Sequence, residues 1–297
     1  MKKIILSIAF LFVAMNLDAQ IFRPVDQMSE VERSVFLAEH FWDGFPFNDT
    51  MILHQDRFRG SVANYLQAIQ FADLPSIQKS LVEVIRKSDT NERMYRYFIE
   101  VFDFYLNDAL SGLREEQWIE PVWRQMLKSK WCTYSDSAKI DLFLRLAAKN
   151  RVGSKATDLE FVTIQGQPGT LLELNAELLM VYFYIPGCAQ CIKTREWIEE
   201  DSAYQAIHRA GILQVLAFYP EKDMDKFHTY SNSVPNTWIN ARDPDGRSQL
   251  EEEEKYQMRG APTIYLIDKN KKIILKDARE DLLFEEFAKV QKKYLKK

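Results

Sequence analysis

The sequence predicts two domains of different class, an all-α domain followed by an α/β domain, and three observations carry that prediction. From Ser29 to about Asn150 apolar residues recur at helical spacing, with no strand pattern between them. Around Asn150-Arg-Val-Gly-Ser-Lys155 the composition changes, and short apolar runs of strand length begin to alternate with helical segments. The chain has 297 residues, 46% of them hydrophobic, whereas an ordinary domain holds roughly 100–200 residues. Each half can therefore bury its own core.

The first residues are set apart from both domains. Met1-Lys2-Lys3 precedes an apolar run from Ile4 to Ala14, and Leu17-Asp18-Ala19 precedes Gln20. A basic start, an apolar stretch shorter than the ~20 residues of a spanning helix, and a small residue at the exit are the pattern of a secretory signal peptide. We expect residues 1–19 to be that peptide, cleaved near Ala19, with no membrane span after it and a soluble, periplasmic mature chain. Residues 1–19 carry +1 (Lys2 and Lys3 against Asp18), so of the formal net charge of −4 the remainder holds −5. Nucleic acid is not an expected partner, because its recognition needs a basic face.

Residues 20–150 read as the helical domain. Ser29-Glu-Val-Glu32 is a capping box opening a helix to His40. Ile77, Leu81 and Val84 recur at helical spacing, as do Met94, Tyr97, Phe98, Val101, Phe102 and Tyr105. Further helices carry Trp118, Val122 and Met126, then Ile140, Phe143, Leu144 and Ala147. Breakers such as Leu74-Pro75, Asp89-Thr90-Asn91 and Ser111-Gly112 divide them, giving about five or six helices packed as hairpins. Phe41, Trp42, Phe45 and Phe47 are expected in its core.

Residues 151–297 read as the α/β domain. Strands are expected at Leu159 to Ile164, Met180 to Ile185 and Leu213 to Tyr219, with a helix from Cys191 to about Ile207. Thr263 to Ile267 and Ile273 to Lys276 form a hairpin around Lys269-Asn270-Lys271, and Glu280 to Leu295 forms a closing helix.

Cys188-Ala-Gln-Cys191 lies where a strand runs into a helix, behind Pro186-Gly187. A thiol in the first turn of a helix lies near unpaired N–H groups and the positive end of the dipole, which favour thiolate over thiol. Only the thiolate attacks a disulfide. Cys188 would be that nucleophile, and Cys191, one turn behind, would resolve the mixed disulfide. The spacing alone also admits a static disulfide or a metal clip. Zinc wants four ligands, and the four histidines of the chain are not closely paired, so neither a metal nor any other cofactor is expected. Cys132 leaves an odd cysteine count; a buried, inert thiol is the reading taken for it.

The cysteine pair, together with Gly260-Ala261-Pro262-Thr263 ahead of a later strand, resembles the thioredoxin superfamily. Gly153-Ser-Lys-Ala-Thr-Asp-Leu-Glu-Phe161 resembles the lead-in of its TlpA-like branch. His40-Phe-Trp-Asp43 and Phe45-Pro-Phe-Asn-Asp49 are similar to a helical domain of unknown function that precedes such modules in exported bacterial proteins. The resemblance implies a thioredoxin-like fold for residues 151–297, a cis peptide bond at Pro262, and a substrate-binding backbone at Ala261 and Pro262 beside Gly187. It further implies a thiol-disulfide oxidoreductase, reductase or isomerase, with Cys188 and Cys191 as catalytic residues. Its partners would be disulfide-bearing exported proteins and an electron donor such as a membrane reductase.

Two departures stand beside that resemblance. Gly187 takes the place where family members commonly carry tryptophan. Tyr182 and Thr194 take the two positions where members carry the acid that shuttles the second cysteine's proton, and Glu196 is out of register. The alternative function is a binding module, in which the α/β domain is a scaffold with a structural disulfide and the helical domain recruits a partner.

Overall fold

In the computed structural model, the described residues are 27–54, 56–246, 248–251 and 253–295. The expected signal peptide, residues 1–19, lies outside them. Two compact units divide the chain, Met1–Leu144 and Arg145–Lys297.

The first unit is built from helices α1 (Glu30–His40), α2 (Asp56–Ile69), α3 (Leu74–Ser88), α4 (Glu92–Leu106), α5 (Glu116–Met126) and the start of α6 (Tyr134–Ala148). The capping box at α1 is formed on both arms: Ser29 Oγ accepts from the Glu32 amide at 3.2 Å, and Glu32 accepts from the Ser29 amide at 2.8 Å. Asp73 and Asn91 cap α3 and α4 through their side-chain oxygens. On α4 the buried set is Met94, Tyr95, Phe98, Val101, Phe102 and Leu106. Tyr97 and Tyr105, read from spacing as core, pack at its margin instead. Trp42 sits at the centre of the aromatic cluster, with Phe45, Phe58, Tyr65 and Phe98 ring centroids 5.1–6.2 Å away. Trp42, Phe58, Tyr65 and Phe98 are core, each large apolar side chain contributing about 1.5–3 kcal/mol by its burial, while Phe41, Phe45 and Phe47, expected in the core, are partly buried at its margin.

The division between the units falls inside α6 rather than at the composition change near Asn150. Its last turn belongs to the second unit because that turn is bonded there. Arg145 pairs with Glu254 at 2.8 Å, Lys149 donates to the Glu253 carbonyl at 2.8 Å, and Lys276 donates to the carbonyls of Leu146 and Lys149. A lysine on the last carbonyls of a helix satisfies groups that have no intrahelical partner and meets the negative end of the dipole.

The second unit holds a seven-stranded mixed sheet of order β2-β1-β5-β4-β3-β6-β7. Its strands are β1 (Glu160–Thr163), β2 (Pro168–Thr170), β3 (Leu178–Phe183), β4 (Leu213–Tyr219), β5 (Ile239–Arg242), β6 (Thr263–Asp268) and β7 (Ile273–Leu275). Helices α7 (Ala189–Glu200), α8 (Ser202–Arg209), α9 (Met224–Thr229), α10 (Ser248–Glu251) and α11 (Glu280–Tyr294) complete it. Central β3 pairs parallel with β4 and antiparallel with β6, and all six of its residues are buried. Successive side chains of a strand point to opposite faces. Leu178, Met180 and Tyr182 accordingly join Ile198, Ile207 and Phe287 in one core, while Leu179, Val181 and Phe183 join Leu159, Leu171 and Tyr265 in the other.

The helix expected from Cys191 to Ile207 is two helices. Asp201, at ψ 126°, leaves the helical region, and its carboxylate accepts from the Tyr204 amide at 2.7 Å, so it ends α7 and caps α8 at once. Strands β2 and β5 were not expected; three and four residues long, they are too short to display a period. Between β4 and β6 the expected helix is two short ones, α9 and α10.

Candidate active site

The sheet register builds the site. Phe183 at the end of β3 lies opposite Thr263 at the start of β6. The segments just beyond these residues, Tyr184 to Cys188 and Gly260 to Pro262, therefore emerge at the same end of the sheet. The chain leaving β3 turns at Pro186-Gly187, with Gly187 at φ +79°, a conformation that costs an L side chain energy and glycine almost nothing. The Cys188 amide closes that turn on the Ile185 carbonyl at 3.1 Å.

Cys188 is the N-cap of α7, with extended backbone at φ −72°, ψ 117°. Its sulfur accepts the Cys191 amide N–H at 3.3 Å, as a serine or aspartate oxygen would at that position. The Cys188 thiol also faces the Ala261 carbonyl at 3.5 Å, and the Ala261–Pro262 peptide is cis. Cys188 is half-buried and Cys191 is 5% exposed, both as free thiols. Burial pushes the Cys191 thiol up to about 12, assisted by its hydrogen bond to Cys188 and opposed by hydrogen bonding at the Ile185 backbone. One thiol is thus presented and the other stored.

The surroundings hold both in place. Tyr182 donates its hydroxyl to the Cys191 carbonyl at 2.6 Å. Burial raises the Tyr182 phenol far above its ordinary range, so it stays protonated and a donor. Thr194, 2% exposed on the inner face of α7, donates to the Glu280 carboxylate at 3.0 Å and accepts from the Gln190 side-chain amide at 3.3 Å. The loop carrying Ala261 is anchored by Arg259 and Asp277, paired at 2.7 Å with side chains only 10% and 8% exposed, and by Thr263 donating to the Gly260 carbonyl at 2.8 Å. Over the turn lies Tyr230, 42% exposed, its ring 3.4–3.7 Å from where a Cβ on Gly187 would stand.

All five residues selected from sequence, Cys188, Cys191, Ala261, Pro262 and Gly187, meet at this end of the sheet. Glu196, noted as out of register, pairs with Arg195 at 3.5 Å. Sequence reading missed Tyr230, Glu280 and the Arg259–Asp277 pair. Tyr230, a lone aromatic beside Ser231-Asn-Ser233, offered a faint signal. Glu280 offered none, because an acid in the first turn of a helix is ordinary dipole complement. Cys132 lies elsewhere, in the helical unit; it is half-buried rather than fully buried, and desolvation raises its thiol.

Among the described residues no group of three or more His, Cys, Asp or Glu is placed to hold a metal ion, and no helix is long and apolar enough to cross a membrane.

Residues 24–150 match the family described as Domain of unknown function (DUF5106). A thioredoxin-like protein from Bacteroides caccae superimposes with a TM-score of 0.83 at 27% identity, over 92% of this chain and 99% of that one. The C-terminal domain of an uncharacterized protein from Bacteroides fragilis aligns at 30% identity over 47% of this chain and 98% of its own, with a TM-score of 0.45. The thioredoxin domain of a thiol-disulfide oxidoreductase from Bacteroides vulgatus aligns at 20% identity over 47% of this chain and 97% of its own, with a TM-score of 0.40. A comparison with curated proteins finds no match. Residues 24–150 are thus similar to the DUF5106 family, and the second unit has a thioredoxin-like fold.

Proposed function

We propose that the chain is a thiol-disulfide oxidoreductase, acting as reductase or isomerase on the disulfides of exported proteins. The observation that carries this reading is the placement of Cys188. Its sulfur is the cap of a helix, takes an amide N–H, and is presented at the surface with a second thiol buried one turn behind it. That placement makes the Cys188 sulfur, and not the buried one, the atom that an incoming disulfide meets.

In the proposed cycle the Cys188 thiolate attacks one sulfur of a substrate disulfide, forming a mixed disulfide and releasing the other sulfur as a thiolate. Cys191, deprotonated, then attacks the Cys188 sulfur. The bond to the substrate breaks, its electron pair leaves with the substrate sulfur, and the Cys188–Cys191 disulfide closes. Two electrons pass from the dithiol to the substrate, and an external dithiol donor, such as a membrane reductase, restores the pair. Ala261 and Pro262 offer backbone groups beside Cys188 to an extended substrate chain, with Gly187 keeping the approach open. The Met1–Ala19 pattern supports export.

The test is an equilibrium titration of the Cys188–Cys191 pair in glutathione and dithiothreitol buffers, with insulin reduction followed alongside. A potential between roughly −120 and −270 mV, the span of exchange catalysts, with turnover is the expected result. A pair that stays oxidised throughout and reduces nothing would refute the proposal.

A further inference from the structure

We propose that Tyr230 is a specificity-determining residue: its exposed ring, laid against Gly187, is a fixed aromatic wall for the residue next to the substrate's cysteine. The site then favours disulfides of unfolded polypeptide flanked by apolar side chains over small polar ones such as glutathione disulfide. The inference rests on the dithiol reading above and names the substrate class of that same site.

The ring stands beside the nucleophile's turn by direct contact. Gly187 immediately precedes Cys188, and Tyr230 Cζ, Oη and Cε1 lie 3.4, 3.5 and 3.7 Å from the position of a Cβ on Gly187. With no side chain at Gly187 the ring rests close to the backbone, and 42% of the tyrosine remains exposed. Apolar surface left in water is stabilised when an incoming chain covers it. Apolar side chains are mostly buried in folded proteins, so a disulfide flanked by them becomes available when its chain is unfolded.

The ring is also held in place, which lowers the entropy lost when a substrate packs on it. Asp223 caps α9 by accepting the Lys226 amide at 2.9 Å, and the buried Phe227 anchors that helix by stacking on Tyr219, centroids 5.6 Å apart. Tyr230 follows α9 directly. Its amide donates to the Lys226 carbonyl at 3.1 Å, and its carbonyl accepts the Ser233 amide at 2.9 Å and the Ser233 hydroxyl at 2.6 Å. One residue on, the Ser231 carbonyl accepts from the Asn240 side-chain amide at 3.5 Å, and the side-chain oxygen of Asn240 accepts from the Tyr184 hydroxyl at 2.8 Å. Tyr184 begins the segment that carries Cys188. The loop bearing the ring and the segment bearing the nucleophile are therefore tied together independently of the ring itself.

The helix side of the site has the same character. Ile192, four residues beyond Cys188 and with its amide on the Cys188 carbonyl at 3.1 Å, is exposed, and residues four apart on a helix share a face. Neither Ile192 nor Tyr230 offers a cation to the carboxylates of glutathione. Trp197, the exposed aromatic further along α7, is already engaged, with the Lys193 ammonium 4.4 Å from its ring centroid.

The test uses the reduced full chain in a Cys132→Ser background and two peptide dimers. In each dimer a disulfide joins two copies of Gly-Ser-X-Cys-Ser-Gly, with X either phenylalanine or serine. Cys188 attacks one sulfur and one peptide leaves as its thiolate; Cys191 then releases the other as the Cys188–Cys191 disulfide closes, two electrons having passed to the dimer. The rate constant of the first release is divided by that of the same dimer with dithiothreitol. The parent should favour the phenylalanine dimer by about 2- to 12-fold, the worth of one aromatic contact, and glutathione disulfide should react no faster than the serine dimer. Tyr230→Ala should bring the ratio close to one, and Tyr230→Phe, which keeps the ring, should retain it. Circular dichroism melts verify the folding of both variants. A parent with a ratio of one, or a Tyr230→Ala protein with the parental ratio, would overturn the assignment and leave the dithiol reading standing. A parent that reduces neither dimer nor glutathione disulfide would overturn the dithiol reading itself.

Discussion

Gly187→Ala isolates what the turn before the nucleophile contributes. At φ +79° the backbone sits where an L residue pays roughly 1–2 kcal/mol relative to its right-handed conformation. Sterics add little, since the new Cβ would meet the Tyr230 ring at 3.4–3.7 Å, ordinary van der Waals contact. The cost is therefore a backbone cost, borne by the native state alone. In a domain of about 150 residues, 1 kcal/mol shifts the melting point by roughly 2–4 °C, so the α/β domain should melt about 2–8 °C lower. If the turn instead relaxes to relieve the strain, Cys188 leaves the cap position and its alkylation by iodoacetamide at neutral pH slows. Gly187→Asn should lose less on both counts, because asparagine enters the left-handed region more readily. Near-UV circular dichroism melts of the reduced proteins, with alkylation rates measured in parallel, read both effects. A Gly187→Ala protein with parental melting point and parental alkylation would refute the reasoning.

Two further outcomes follow from the same geometry. Cys188→Ala removes the acceptor of the Cys191 amide and should destabilise the reduced domain by about 0.5–2 kcal/mol relative to Cys188→Ser, which keeps a capping atom; equal urea midpoints for the two variants would contradict the capping role. Because the folded Cys191 pKa is raised from 9.0 to about 12, the unfolded chain releases this proton first. The stability held by Cys191 is intact below about pH 9 and falls by roughly 1.4 kcal/mol per pH unit above it, as read by the difference between the reduced parent and Cys191→Ser; a difference that stays flat to about pH 10.5 would contradict it.

How much of this was legible in the sequence depended on the length over which a pattern could repeat. The capping box at Ser29, strand Leu213–Tyr219 and the start of α11 at Glu280 were readable because local chemistry alone specifies them. The cysteines and Ala261-Pro262 were readable as motifs, although they are seventy residues apart, because each carries its own context. Strand β5 was not: its four residues, Ile239-Asn-Ala-Arg242, are too few for their alternation to count as a pattern, and they owe their conformation to pairing with β4 and β1. The break at Asp201 was hidden because aspartate both ends and starts helices, and apolar spacing runs on through Ile198 and Ile207. Glu280 reaches Thr194 and Tyr230 reaches Gly187 through tertiary packing, which no spacing rule encodes.

The asymmetry of the cysteine pair follows from the sheet more than from the motif. All six residues of β3 are buried, and the turn at Gly187 beyond its end delivers Cys188 to the rim, where it is partly exposed. One helical turn on, Cys191 necessarily points back over the strand it came from, beneath Tyr182. The same register sets the other half of the site. A slip of one residue between β3 and β6 would exchange the faces of every side chain on β6, moving Ile264 and Leu266 out of one core and Tyr265 and Ile267 out of the other. The burial of those four residues therefore fixes where Ala261 and Pro262 stand, and with them the carbonyl 3.5 Å from the Cys188 sulfur. The half of the site that carries Ala261 and Pro262 is held by the packing of Ile264 to Ile267, more than seventy residues beyond Cys191 in sequence, so the chemistry at Cys188 can vary through near neighbours such as Tyr230 without unsettling the scaffold that presents it.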